Sequence, residues 1–184
     1  MSALSRATLD DLHAVEGKAE LIGGRIVRFP PIGIGPALIG SRIYRAIDDH
    51  AKATGRGWAL TGSVGFAITE LASGRESFCP DASYSLGSIR ADDMEFVSGS
   101  PTFAVEVRSK GDYGPEAEDE MAAKRADYFE AGTAVVWDVD PLAKVIRVYR
   151  HVLPDRPDVF GSSDSADAEP VMPGWRLDLT CIFD

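Results

Sequence analysis

The order in which helical and strand-like periodicities follow one another limits this chain more than any other feature. "SRATLDDLHAVEG" has a polar start and apolar residues at Leu9, Leu12 and Val15, the spacing of a short amphipathic helix. "AELIGGRIVRFPP" predicts a hairpin turning at Gly23-Gly24 and stopped by proline. "PALIGSRIYRAIDDHAKATG" sets Leu38, Ile39, Ile43, Ala46, Ile47 and Ala51 on one helical face, from Pro36 to a stop at Gly55. Strand-type segments follow: "WALTGSVGFAIT", "CPDASYSL" and "TFAVEVRS", then "AVVWDVDP" and "VIRVYRH". Between the last two groups, "EAEDEMAAKRADYFEAG" reads as a helix with Ala122, Ala126, Tyr128 and Phe129 as its apolar contacts and Gly132 as its stop. Helix, hairpin, helix, three strands, helix and two strands describe an α/β fold with a mixed sheet flanked by helices. Residues 153–173, rich in Pro, Asp, Ser and Gly, read as a long loop, and "PVMPGWRLDLTCIFD" as a last strand or docking tail.

At 184 residues, with no internal repeat and no composition shift that marks a linker, residues 1–184 are expected to form one domain. No apolar run is long enough to span a bilayer and the first twenty residues are too polar for a signal peptide, so a cytoplasmic location without membrane contact is the expectation. Cys79 and Cys181 lie far apart, and His13, His50 and His151 have no ligand spacing, which leaves neither a zinc site nor a required disulfide. The net charge of −10 opposes broad electrostatic attraction to nucleic acid. Handling DNA would take a local basic patch or a partner. Arg25, Arg28, Arg42, Arg45 and Arg56 are candidates for a phosphate strip, although Asp48 and Asp49 favour a solvated helix face.

In "TFAVEVRS" the strand alternation puts Phe103, Val105 and Val107 on one side and Ala104, Glu106 and Arg108 on the other. Glu106 is then either a solvated acid on an exposed face or a cleft carboxylate held by a cation. "CPDASY" starts another short strand with Asp81, so two acids on neighbouring strands can converge on a hard, oxygen-seeking ion such as Mg²⁺. Asp138 and Asp140 in "WDVDP" form a second tempting pair, but "DP" is an ordinary turn signal and both are assigned to structure. "GIGPALIG" has no "GK[ST]" after it, so its glycines serve a turn and not a phosphate loop. No GxSxG stretch or reactive cysteine points to nucleophilic catalysis, and nothing calls for an organic cofactor.

"PD" at 80–81 followed by "EVR" at 106–108 resembles the signature of the PD-(D/E)XK nuclease superfamily. With "AELIGGRIVRFPP", "AVEVRSKGD", "KRADYFEAGTAVVWDVDP" and "VMPGWRLDL" in this order, the chain resembles the bacterial Uma-two family of restriction-endonuclease-like proteins. The resemblance implies a restriction-endonuclease-like fold and a Mg²⁺- or Mn²⁺-dependent phosphodiesterase acting on DNA. It implies Asp81 and Glu106 as metal ligands, with Glu20 as a further one or as a surface acid of the hairpin. The lysine usual two positions after the second acid is here Arg108, which stays protonated and suits a phosphate clamp better than a base. Lys124, which shares a helix face with Tyr128, matches the family's helix lysine and is expected as the assisting base; its alternative is a surface pair with Glu120. A homodimer would suit a double-strand cutter. Two other readings stay open: a catalytically inactive binding or scaffold module on the same fold, and an enzyme for a small phosphorylated substrate.

Overall fold

The computed structural model describes residues 6–90 and 92–184. The elements are α1 (Leu9–His13), β1 (Ala19–Ile22), β2 (Arg25–Arg28), α2 (Ile34–Thr54), β3 (Trp58–Thr61), β4 (Phe66–Ala67), β5 (Ser77–Phe78) and β6 (Ala82–Ser85). They continue as β7 (Val97–Ser98), β8 (Phe103–Val107), α3 (Pro115–Glu130), β9 (Val135–Asp140), β10 (Val145–Arg150), β11 (Leu153–Gly161), β12 (Ser165–Asp167), β13 (Arg176–Asp178) and α4 (Thr180–Phe183). Six strands form the central sheet, in the order β11-β10-β9-β8-β6-β3. Its neighbours are antiparallel except β8 and β9, which run parallel because α3 carries the chain back between them. The sheet is mixed, as the order of periodicities predicts.

Alternation along β8 distributes its side chains between two cores. Phe103, Val105 and Val107 pack with Ile39, Ile43 and Ile47 of α2, whereas Ala104 joins Tyr128 and Phe129 of α3. Helices therefore cover both faces. The four-residue spacing of Ile39, Ile43, Ile47 and Ala51 makes the buried stripe of α2, which Gly55 ends in the left-handed region at φ 64°. Leu38, expected on that face, is 48% exposed, because it lies about 100° around the helix from Ile39.

Several local expectations change. Ser5 lies outside the described residues; Thr8 caps α1 and shares a capping box with Asp11. Ala122 and Ala126 are exposed, and α3 instead buries Asp127, Tyr128 and Phe129 with Lys124 half-buried. This helix docks by an edge that carries charges, and the sheet answers with charges of its own. The stretch expected as a loop from 153 contains β11, nine residues paired with β10. Pro154 and Pro157 fit there because β11 is the outermost strand and need not donate to a neighbour. Arg42 donates to the carbonyls of Ile182 and Asp184 at 2.8 and 2.6 Å, so it ties down the C-terminal tail rather than a phosphate.

The β1-β2 hairpin turns at Gly23 and Gly24, both at positive φ (57° and 69°), a backbone that favours glycine. It docks on residues 74–77: Gly23 N–H donates to the Gly74 carbonyl at 2.7 Å and Glu76 N–H to the Leu21 carbonyl at 2.9 Å. Docking fixes the strand that brings Lys18 and Glu20 to the sheet. Among the described residues no helix is long and apolar enough to cross a membrane.

Candidate functional site

Antiparallel pairing of β6 and β8 sets Ala82 opposite Val105, and Asp81, just before β6, lies alongside the Val105–Val107 end of β8. Asp81 N–H donates to the Val105 carbonyl at 2.9 Å, and Val107 N–H donates to Asp81 Oδ2 at 2.8 Å. The backbone of β8 thus aims the Asp81 carboxylate. Gly62 backs it closely, since a Cβ there would come within 2.9 Å of the Asp81 carbonyl oxygen. Both acids line a cleft of about 750 Å³ between the hairpin, the sheet and α3.

Glu106 is a cleft carboxylate, not an acid on an open face. Tyr128 donates its hydroxyl to Glu106 Oε1 at 2.6 Å, and Lys124 Nζ lies 2.8 Å from the same oxygen. Both contacts fall on Oε1, which among the described residues leaves Oε2 for a further ligand. Burial in the cleft wall pushes the Glu106 carboxyl above its ordinary value and outweighs the opposing pull of Lys124 and Lys18. Tyr128 is raised too, first by burial and then by Glu106 and Glu20, so it remains a phenol and a donor.

Lys124 does not pair with Glu120; it bridges Glu106 and Glu20, whose Oε1 is 3.0 Å away. Burial would lower its pKa, but Glu106 and Glu20 together hold it above the ordinary lysine value. The two carboxylates favour its ammonium form and so oppose the proton uptake expected of an assisting base. Glu20 is fully buried. Its Oε1 also accepts from Cys79 N–H at 2.9 Å, and its Oε2 pairs with Arg75 Nη1. Burial would raise Glu20, yet Lys124 and Arg75 keep it below the ordinary carboxylate value. With partners on both oxygens, Glu20 is placed to hold Lys124.

Arg108 shares the cleft face of β8, but its guanidinium is spent. It makes a forked pair with Asp138, both bonds 2.7 Å, and also donates to Glu118 at 2.5 Å. The Asp138 bonds first, and then Glu118, hold its pKa above the ordinary arginine value against the opposing effect of partial burial. This corrects the expected phosphate clamp: Arg108 joins β8 to β9 and to the first turns of α3. Replacing Arg108 by lysine is expected to cost about 1–3 kcal/mol, because an ammonium cannot make the fork, and to leave any metal binding at Asp81 unchanged. Thermal melting and metal titration of the variant check this.

Four site residues, Lys18, Phe29, Arg75 and Asp127, escaped the sequence reading. Lys18 Nζ lies 2.6 Å from Asp81 Oδ1; burial lowers its pKa, but Glu106 and Asp81 outweigh that and raise it. Arg75 pairs with Glu20 and, at 2.7 Å, with Asp127. Phe29 lies under both ammonium groups, 5.9 Å from Lys18 Nζ and 5.6 Å from Lys124 Nζ. A usable signal existed only for Lys18, two residues before Glu20 and hence on the same side of an extended segment. Cys79 is no nucleophile, since burial pushes its thiol up to about 11.

The cluster sets four acids, Glu20, Asp81, Glu106 and Asp127, against three cations, Lys18, Arg75 and Lys124. Among the described residues no three His, Cys, Asp or Glu side chains gather into a complete ligand set. The donors at Asp81 and Glu106 nevertheless suit Mg²⁺ or Mn²⁺, because such ions take one or two carboxylates and complete their shell with water and phosphate oxygens. An open Glu106 oxygen and the surplus negative charge both favour a cation there.

A family model described as "Uma2: Putative restriction endonuclease" matches residues 8–180. A crystal structure described as that of "a putative nuclease belonging to DUF820" from Anabaena variabilis superposes with a TM-score of 0.73 at 19% identity, over 96% of this chain and 97% of that one. At that identity the likeness concerns the fold. No curated protein matches the sequence.

Proposed function

The chain belongs to the Uma2 family, and from that premise we propose that it is a Mg²⁺- or Mn²⁺-dependent endonuclease hydrolysing phosphodiester bonds of DNA. The observation that supports this reading best is that Asp81, held by the backbone of β8, and Glu106 of β8 line one cleft, with the Lys124 ammonium on Glu106. Asp81 and Glu106 would hold the ion. When bound, such an ion lowers the pKa of an attacking water and neutralises charge on the phosphoryl oxygens.

The chain's own groups do the rest. Val107 N–H and Tyr128 orient the two carboxylates. Lys124, held charged between Glu106 and Glu20, places a positive charge beside the reacting phosphate, where negative charge grows in the transition state. Lysine on a helix thus takes over the electrostatic part of a role that Arg108, tied to Asp138, does not fill.

Lys124→Gln is expected to keep metal binding while lowering nicking by about 10²-fold, the usual range for one charge-stabilising donor. Calorimetry and plasmid nicking on the same preparation separate the two effects. The reading as a whole is tested by Mg²⁺ and Mn²⁺ titration of the wild type. Binding that requires both Asp81 and Glu106 supports it. No binding leaves a nuclease-like fold used as a binding module. Steep loss of activity with salt, expected for polymeric DNA, would exclude a small phosphorylated substrate.

A further inference from the structure

Asp81 has two oxygens, and both are taken. Oδ2 accepts from Val107 N–H, a backbone donor within β8. Oδ1 carries Lys18 Nζ at 2.6 Å. A metal ion binding Asp81 must therefore contend with Lys18, because the backbone donor cannot leave without disturbing the strand.

The two lysines of the site are held differently. Lys124 bridges two carboxylates and is 17% exposed, whereas Asp81 is the one acid within ion-pair distance of Lys18 among the described residues, and Lys18 is 25% exposed. Lys18 is also placed to move. It lines both the cleft and an adjoining recess of about 620 Å³ walled by Arg28, Phe29, Tyr44 and Gly62. Lys18 and Asp81 stand where the two spaces meet. A dication close to Asp81 and Glu106 attracts them more strongly than a single ammonium does, and it repels that ammonium toward the recess. A four-carbon stem with a water-accessible head gives the charge somewhere to go.

We propose that Lys18 is a resident counter-ion of Asp81 that a divalent cation displaces, and that the displaced ammonium turns into the adjoining recess to contact a phosphate of the bound nucleic acid. The inference rests on the reading of Asp81 and Glu106 as the metal-holding pair. Metal loading and substrate binding are then coupled through one side chain: the ion frees the cation that the phosphate requires.

Lys18→Met keeps most of the stem and removes the charge. Calorimetric Mn²⁺ titration is expected to show affinity at least about tenfold tighter than wild type, since one short-range repulsion is gone. KM for plasmid nicking is expected to rise by a similar factor, and Lys18→Arg to leave Mn²⁺ affinity within about threefold. A second measurement uses the unaltered protein. The rate at which an amine-acylating reagent modifies Lys18, followed by peptide mass spectrometry, should rise when Mn²⁺ is added. Unchanged or weaker Mn²⁺ affinity in Lys18→Met, or an acylation rate indifferent to Mn²⁺, overturns the Lys18 inference while the metal reading stands. Absence of Mn²⁺ binding in the wild type overturns the metal reading itself.

Discussion

Under the proposed function, Glu106→Ala and Asp81→Ala are each expected to reduce metal-dependent plasmid nicking by at least about 10³-fold, or about 4 kcal/mol of lost transition-state stabilisation. The two variants differ in what else they disturb. Asp81→Ala leaves Lys18 without its carboxylate, whereas Glu106→Ala leaves Lys124 with Glu20 as its remaining partner. Lys124 and Tyr128 lose their shared acceptor in the second case. Calorimetry should show Mn²⁺ binding vanish in both, with circular dichroism unchanged. Nicking that persists in either variant at the wild-type rate would remove that acid from the site.

Glu20→Ala is expected to be the most destabilising substitution at the site, by about 3–5 kcal/mol, the range for breaking a buried ion pair from one side. It removes one of two carboxylate partners from each of Arg75 and Lys124, both largely buried, and leaves Cys79 N–H without its acceptor. A chain of this size loses roughly 2–4 °C of Tm per kcal/mol, so a drop of about 6–20 °C should appear on melting. The pH dependence follows from the sign of the shift. Glu20 is held below its ordinary value of 4.5, so the unfolded chain binds its proton first. Its stabilisation is present above that value and is lost as pH falls through the lower value of the folded state. Wild type should therefore lose stability on acidification below pH 4.5 more steeply than Glu20→Gln. Equal slopes would mean that the Glu20 carboxyl is not held below its ordinary value in the folded protein.

Much of the frame was legible along the chain. The alternation of "TFAVEVRS" assigned Glu106 to the face opposite Phe103, Val105 and Val107, and β8 carries them so. The glycines at 23 and 24 marked the hairpin, and the isoleucines of α2 marked its buried stripe. These readings succeed because a strand or helix repeats its geometry every two or 3.6 residues, whatever surrounds it. β11 was missed because its prolines and acids are loop residues by composition, and its place at the sheet edge is what makes them tolerable. Ala122 and Ala126 misled for the opposite reason: they look apolar, but α3 presents its charged edge to the sheet.

The roles of the charged residues divide along the same line. Residue type and strand period put Asp81 and Glu106 on neighbouring strands, and the resemblance to the PD-(D/E)XK pattern nominated them as a metal-holding pair. Which cation meets which acid was settled in three dimensions. Lys18 reaches Asp81 across 63 positions, and Arg75 reaches Glu20 across 55 and Asp127 across 52. Arg108, two residues from Glu106, is instead drawn to Asp138 on β9. Local sequence sets the direction in which a side chain leaves the backbone. Its partner is set by which elements pack beside it and by the cost of leaving a buried charge unpaired.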